Sequence, residues 1–292
     1  MIPEELTQAQ FDTVYNLLSL VIAAQLFGAI FLFAVQPRVL PRYRQALVMS
    51  GIVCGIAAYH YFRIFESFKG AFVTDAAGGR GTYVQAPGQS FNEGYRYVDW
   101  LLTVPLLLAE LIVVLALARK LRNSLLYRLI PASALMIALG YPGEISSDDL
   151  TRNVFGLLST VPFLYILYVL FVELTRSLDR QPAAVRKTVS RMRILLLATW
   201  GVYPIAYIVP LLGIDGAAAW VVKQGGYSVA DILAKVLYGL LIYKIARLKS
   251  FADDAEFADR ENEAHEGVVV AGNGAAPVTV GVGRKGTTAT TA

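Results

Sequence analysis

Arg96-Tyr97-Val98-Asp99-Trp100-Leu101-Leu102-Thr103-Val104-Pro105-Leu106-Leu107-Leu108-Ala109-Glu110 is an apolar run that carries three charges. A run of this kind belongs to a span of about 93–118, long enough at about 1.5 Å per residue to cross roughly 30 Å of hydrocarbon. Asp99 and Thr103 lie one helical turn apart. Asp99 and Glu110 lie three turns apart with about 20° of drift, so all face one side over about 20 Å of depth. Ionisable groups at that depth are expensive and mark function.

Six further apolar stretches, at about 11–36, 44–68, 123–143, 151–175, 190–213 and 225–248, give seven spans. The 292-residue chain is 56% hydrophobic and 16% charged, where a soluble domain carries about a quarter charged residues. The expected fold class is an all-α membrane protein: a seven-helix bundle, with membrane lipid as its surround. Gly78-Gly79, Gly81 and Pro87-Gly88 flank Thr82–Gln85 in the 2–3 connection and predict a short β-hairpin there. Residues 1–249 read as the membrane domain. Residues 250–292 turn rich in Gly, Ala, Val and Thr without helical period and read as a disordered cytoplasmic tail.

The net charge of +4 does not indicate nucleic-acid binding, because the basic residues sit in short connections. Arg38, Arg42, Arg44, Arg119, Lys120, Arg122, Arg176, Arg180, Arg186 and Lys187 gather on one side, and Asp75, Glu93, Glu144, Asp148 and Asp149 on the other. The positive-inside bias places the N-terminus outside and the C-terminus in the cytoplasm of a multi-pass cell-membrane protein. No cleavable signal peptide is expected, since Glu4 and Glu5 occupy the place of a basic n-region. The single Cys54 excludes an internal disulfide and suggests no metal cluster.

The seventh span holds Asp231 and Lys235, four residues apart on one face. The second holds His60 at about the depth of Asp99, and Arg63. A buried lysine amine condenses with an aldehyde to a Schiff base, which once protonated needs a counter-ion; Asp99 and Asp231 supply one. Passing the proton to Asp99 and refilling from Glu110 makes a one-way path outward. Glu110 then has to hold its proton at rest, which apolar burial favours. The plainer alternatives are a packing ion pair for Lys235, snorkelling for Glu110, an interface anchor for Arg96 and a packed histidine at position 60.

These stretches resemble the microbial rhodopsins, and within them the proteorhodopsin and xanthorhodopsin group. The third-span signature is the run quoted above. Asp231-Ile-Leu-Ala-Lys235 is similar to the retinal attachment site. Trp200-Gly-Val-Tyr203-Pro204, Ala134–Gly140 and Ser159-Thr-Val-Pro-Phe163 are similar to the sixth, fourth and fifth helices. The resemblance covers residues 12–248. It implies a light-driven outward proton pump, not an enzyme, with all-trans retinal on Lys235. Asp99 is then acceptor and counter-ion, Glu110 cytoplasmic donor, and His60 a partner that hydrogen-bonds Asp99, with Arg96, Thr103 and Asp231 completing the site.

The same resemblance has Trp100, Leu107, Met136, Gly140, Ser159, Phe163, Trp200, Tyr203, Pro204 and Tyr207 line the chromophore, with Leu107 implying green absorption. Gly156 stands where a glycine in xanthorhodopsin opens a window for a carotenoid antenna; close helix packing is the alternative. Relatives often form trimers or pentamers. Archaeal pumps release protons through two glutamates at the outer ends of spans 6 and 7, where this chain offers Asp215 alone, so release is expected later or by another route. The competing function is a sensory photoreceptor signalling through a separate transducer. Asp99 and Glu110 argue against chloride and sodium pumps.

Overall fold

A computed structural model describes residues 2–75, 81–146, 148–208 and 216–272, without the side chains of 207–208 and 264–272. The helices are α1 (Gln8–Ala34), α2 (Pro41–Ala71), α3 (Gly94–Val114), α4 (Arg119–Ile145), α5 (Asp149–Tyr168), α6 (Leu174–Leu178), α7 (Ala183–Ile208), α8 (Gly216–Asp231), α9 (Tyr238–Asp253) and α10 (Ala255–Gly272). A π-helical turn, Val169–Glu173, fuses α5 to α6, and a second, Ile232–Leu237, fuses α8 to α9. The result is an all-helical bundle of seven spans.

Local chemistry fixes where the helices begin. Thr7 and Gln10 form a capping box: the Thr7 amide donates to Gln10 Oε1 at 2.9 Å, and the Gln10 amide to Thr7 Oγ1 at 3.3 Å. Pro41 opens α2, where its missing N–H has no helical partner to lose. Asp148 caps α5 by accepting from the Thr151 hydroxyl at 2.6 Å and the Thr151 amide at 2.8 Å, and these bonds hold its carboxyl below the usual range.

Among the described residues, five stretches, α1 to α4 and Asp149–Leu178, are as single helical runs long and apolar enough to cross a membrane. Burial separates them: α3 and α2 are the most enclosed, with 61% and 56% of their apolar stretches inside the protein, against 22% for α4 and for the fifth span. The charged third span is therefore central. Large apolar side chains such as Phe27, Leu157 and Val161 cover the outside, two-thirds exposed or more, as a lipid-facing surface requires.

The expected hairpin is present and is part of a larger unit. Strands β2 (Phe72–Thr74) and β3 (Thr82–Gln85) pair antiparallel, and β1 (Glu5–Thr7) adds to β3, giving the order β1-β3-β2. The register sets Leu6 against Tyr83 and Val73 against Val84. Gly78-Gly79 lie outside the described residues; Gly88 adopts φ 72°, as the Pro87-Gly88 turn requires. Leu6, Phe68, Phe72, Phe91 and Trp220 pack beneath the sheet, and Phe11 stacks on Tyr83 at 3.9 Å. Burying each such side chain is worth about 1.5–3 kcal/mol, so the sheet seals the N-terminal end of the bundle.

The stretch after Ser250 corrects the expectation of a tail without helical period. Residues 250–253 complete α9, and α10 runs from Ala255 to Gly272. Asp254 starts it by accepting from the Phe257 amide at 2.9 Å. Glu261 ties α10 to the bundle through Arg38 at 3.2 Å and Arg247 at 2.8 Å. Residues 273–292 lie outside the described residues.

Candidate functional site

Lys235 sits in the π turn of the seventh span and is 2% exposed. Its Nζ donates to Asp99 Oδ2 on α3 at 2.5 Å and to Asp231 Oδ2 at 3.0 Å. The two carboxylates are 1% exposed. Burying ions costs several kcal/mol each unless geometry and hydrogen bonds compensate. Here the Tyr203 hydroxyl donates to Asp231 Oδ1, and Gln25 Nε2 donates to the Asp231 carbonyl at 3.0 Å. Thr103 Oγ1 donates to the Asp99 backbone carbonyl at 2.8 Å, so it braces the helix turn that carries the acid. Asp99 Oδ1 has no hydrogen bond among the described residues.

Towards the N-terminal face lies Arg96, 1% exposed and enclosed by protein, which sets aside an interface-anchoring role. Nη1 donates to the Tyr61 hydroxyl at 3.1 Å and Nη2 to Gln224 Oε1. Its guanidinium also lies 5.1 Å from the Tyr227 ring centroid, in cation–π range. Towards the opposite face lies Glu110, fully buried, so it does not snorkel. Ser50 Oγ donates to Glu110 Oε2 at 2.5 Å, and no cation pairs with it among the described residues. Leu107, Leu108 and Leu111 continue the apolar packing around it.

His60 is 8% exposed. Its Nδ1 is 3.0 Å from the Ile56 carbonyl, and no hydrogen bond joins it to Asp99 among the described residues. Arg63 points away from this centre and donates to the Tyr95 hydroxyl at 3.0 Å.

A cavity of about 410 Å³ opens from Lys235 and Asp231 into the middle of the bundle. Trp100, Leu107, Met136, Gly140, Gly156, Ser159, Phe163, Trp200, Tyr203 and Pro204 line it. Ser159 Oγ donates to the Met136 carbonyl at 2.8 Å, which ties the fifth span to the fourth beside Gly140. The side chain of Tyr207 lies outside the described residues, as does Asp215.

This geometry has counterparts among known proteins. Residues 13–248 match the family described as "Bacteriorhodopsin-like protein". The chain belongs to that family. It is 31% identical over 228 residues to the green-light absorbing proteorhodopsin of Gamma-proteobacterium EBAC31A08, covering 78% of this chain and 84% of the relative. Among solved structures it is similar to xanthorhodopsin, described as a light-driven ion pump with dual chromophore, at 43% identity and TM-score 0.81 over 86% of this chain and 99% of the other. It is likewise similar to a thermophilic rhodopsin at 45% identity and TM-score 0.81, over 87% and 99%.

Membership of the microbial rhodopsins makes the chain a multi-pass membrane protein and implies retinal. The residues present fit that group. The volume lies in the range of small-molecule pockets, the walls are apolar and aromatic, and an amine in contact with two carboxylates stands at one end.

Several residues that the structure places at this cavity or against its charged groups escaped the sequence reading. Tyr227 lines the cavity and stacks on Tyr203 at 5.6 Å. Its signal was available, since it lies four and eight residues before Asp231 and Lys235 on one face. Ser50 and Gln25 gave none, because a single polar residue in an apolar span does not name its partner across the bundle.

Proposed function

We propose that the chain is a light-driven outward proton pump, with retinal carried on Lys235. The observation that carries this reading is the placement of Lys235 between a pair of contacting aspartates and a separate, buried glutamate. On its N-terminal-face side are Asp99 and Asp231, both within hydrogen-bond reach. On the other side is Glu110, three helical turns beyond Asp99 along α3 and about 16 Å from it by helical rise, sealed in apolar packing with Ser50 the one hydrogen-bond partner of its carboxyl among the described residues. When bound, retinal supplies the light-driven change at the Lys235 nitrogen. The chain supplies the asymmetry: Asp99 takes the proton, Asp231 keeps a negative charge beside the nitrogen, and Glu110 refills it. Arg96 holds a positive charge on the exit side. The basic connections 38–44, 119–122 and 176–193 support a cytoplasmic placement of the face bearing Glu110. Residues 1–249 then form the retinal-binding domain, in the cell membrane.

Glu110→Gln keeps the shape and the Ser50 contact and removes the exchangeable proton. Recovery of the resting state after a flash is expected to slow by about a hundredfold, in the range of a lost general acid. Flash photolysis checks this, and an unchanged photocycle would remove Glu110 as donor.

We further propose that Gly156 serves as a window for a carotenoid antenna. Asn153, Leu157 and Thr160 line the retinal cavity and are also exposed on the outside of the fifth span, so the cavity reaches the lipid-facing surface around Gly156. With a hydroxylated carotenoid added, excitation spectra are expected to show carotenoid bands, lost in Gly156→Trp. No energy transfer with several carotenoids would leave Gly156 a packing residue.

A further inference from the structure

Beyond Arg96 lies a second lysine between two carboxylates. Lys223 Nζ on α8 is 2.8 Å from Glu144 Oε1 at the end of α4, and 3.7 Å from Glu93 Oε1 just before α3. Three segments far apart in sequence converge there. In the sequence these acids read as charges at the ends of spans; in the fold they pair. The two lysine centres have the same composition, two carboxylates and one ammonium, and each sums to one negative charge when ionised.

Arg96 stands between them. It reaches the outer centre through Gln224, which accepts from Arg96 Nη2 and donates from Nε2 to Glu93 Oε1 at 3.0 Å. It approaches Glu93 directly as well: Nε lies 3.4 Å from Glu93 Oε2, and both atoms are buried without a hydrogen bond among the described residues. On the other side it donates to Tyr61, whose hydroxyl donates to the Tyr227 carbonyl at 3.3 Å, one turn before Asp231. Exposure rises along this line. The side chains of Asp99, Asp231 and Arg96 are 1% exposed, Glu144 10%, Glu93 17% and Lys223 20%.

We propose that Glu93 and Glu144, clamped on Lys223, form the exit station that carries the outgoing proton from the sealed centre to the N-terminal face. The inference rests on the pump reading and adds the residues of its last step. A proton reaching the pair neutralises one carboxylate and loosens that carboxylate's hold on Lys223. Loss of the proton to water restores both charges and the clamp, so nothing but the proton is consumed. A carboxylate suits this relay because it takes and gives a proton at one atom, while Arg96 and Lys223 keep their charges and hold the geometry.

The test is flash excitation of the retinal-loaded full-length protein in lipid nanodiscs, with pyranine reporting protons in the bulk water. Glu93→Gln and Glu144→Gln are each expected to delay release by about tenfold or more. The visible band and the infrared carbonyl signal of protonated Asp99 should keep their amplitude. Glu144→Asp, which retains a carboxylate, should recover most of the rate. Glu66→Gln, at an exposed outer acid paired with Lys69 at 3.1 Å, should release on time. Unchanged release in both Gln variants, or an equal delay in Glu66→Gln, would overturn the exit station. Absence of any pyranine signal from the unmodified, coloured protein would instead overturn the pump reading, and the exit station with it.

Discussion

Lys235→Ala, expressed and supplied with all-trans retinal, is expected to stay colourless. The substitution removes the amine at the end of the cavity, the one primary amine among the cavity-lining residues and so the one group there that can form a Schiff base. It also leaves Asp99 and Asp231 buried with no ammonium between them. Removing one partner of a buried ion pair costs about 3–5 kcal/mol unless a carboxylate takes up a proton. Lower thermal stability should therefore accompany the loss of colour, and size-exclusion chromatography shows whether the protein is still folded. An absorption spectrum decides the matter: the unmodified protein should absorb green light, the reading that Leu107 in the cavity wall supports. A visible band in a folded Lys235→Ala protein would refute the attachment site.

Asp99→Asn is expected to stop transport while keeping colour. Asparagine fills the same space beside Lys235 Nζ, where the carboxylate now lies at 2.5 Å. It carries no negative charge and accepts no proton at neutral pH. With the counter-charge weakened, the positive charge at the nitrogen spreads further along the chromophore, and the band moves to longer wavelength. Proton flux should fall by at least about a hundredfold, as for loss of a positioned acid–base group. Flux at the unmodified rate would remove Asp99 as acceptor. A flux lost without a spectral shift would separate the counter-ion role from proton acceptance.

The sequence carried much of this centre because helical periodicity is a strict ruler. Asp231 and Lys235 are one turn apart, and the structure keeps them in contact although the intervening turn is π-helical. Asp99 and Glu110 share a face of α3, and both are buried as their spacing requires. Contacts between spans were harder to read. That Ser50 meets Glu110, or that Lys223 meets both Glu93 and Glu144, depends on how helices pack and rotate, which the apolar pattern of a single span leaves open. The three-residue strand β1 is too short for an alternating pattern to register, and it forms because β3 offers it an edge. The Gly-, Ala- and Thr-rich composition of residues 273–292 dominates the tail and hid α10, although Asp254 is an ordinary N-cap.

The central claim is that light moves a proton through Lys235 in one direction, and illumination of intact, retinal-supplied cells in unbuffered medium tests it most directly. The account predicts that green light acidifies the medium, that darkness reverses the change and that a protonophore abolishes it. A coloured protein that leaves the medium unchanged would contradict the account and favour a photosensor working through a separate transducer.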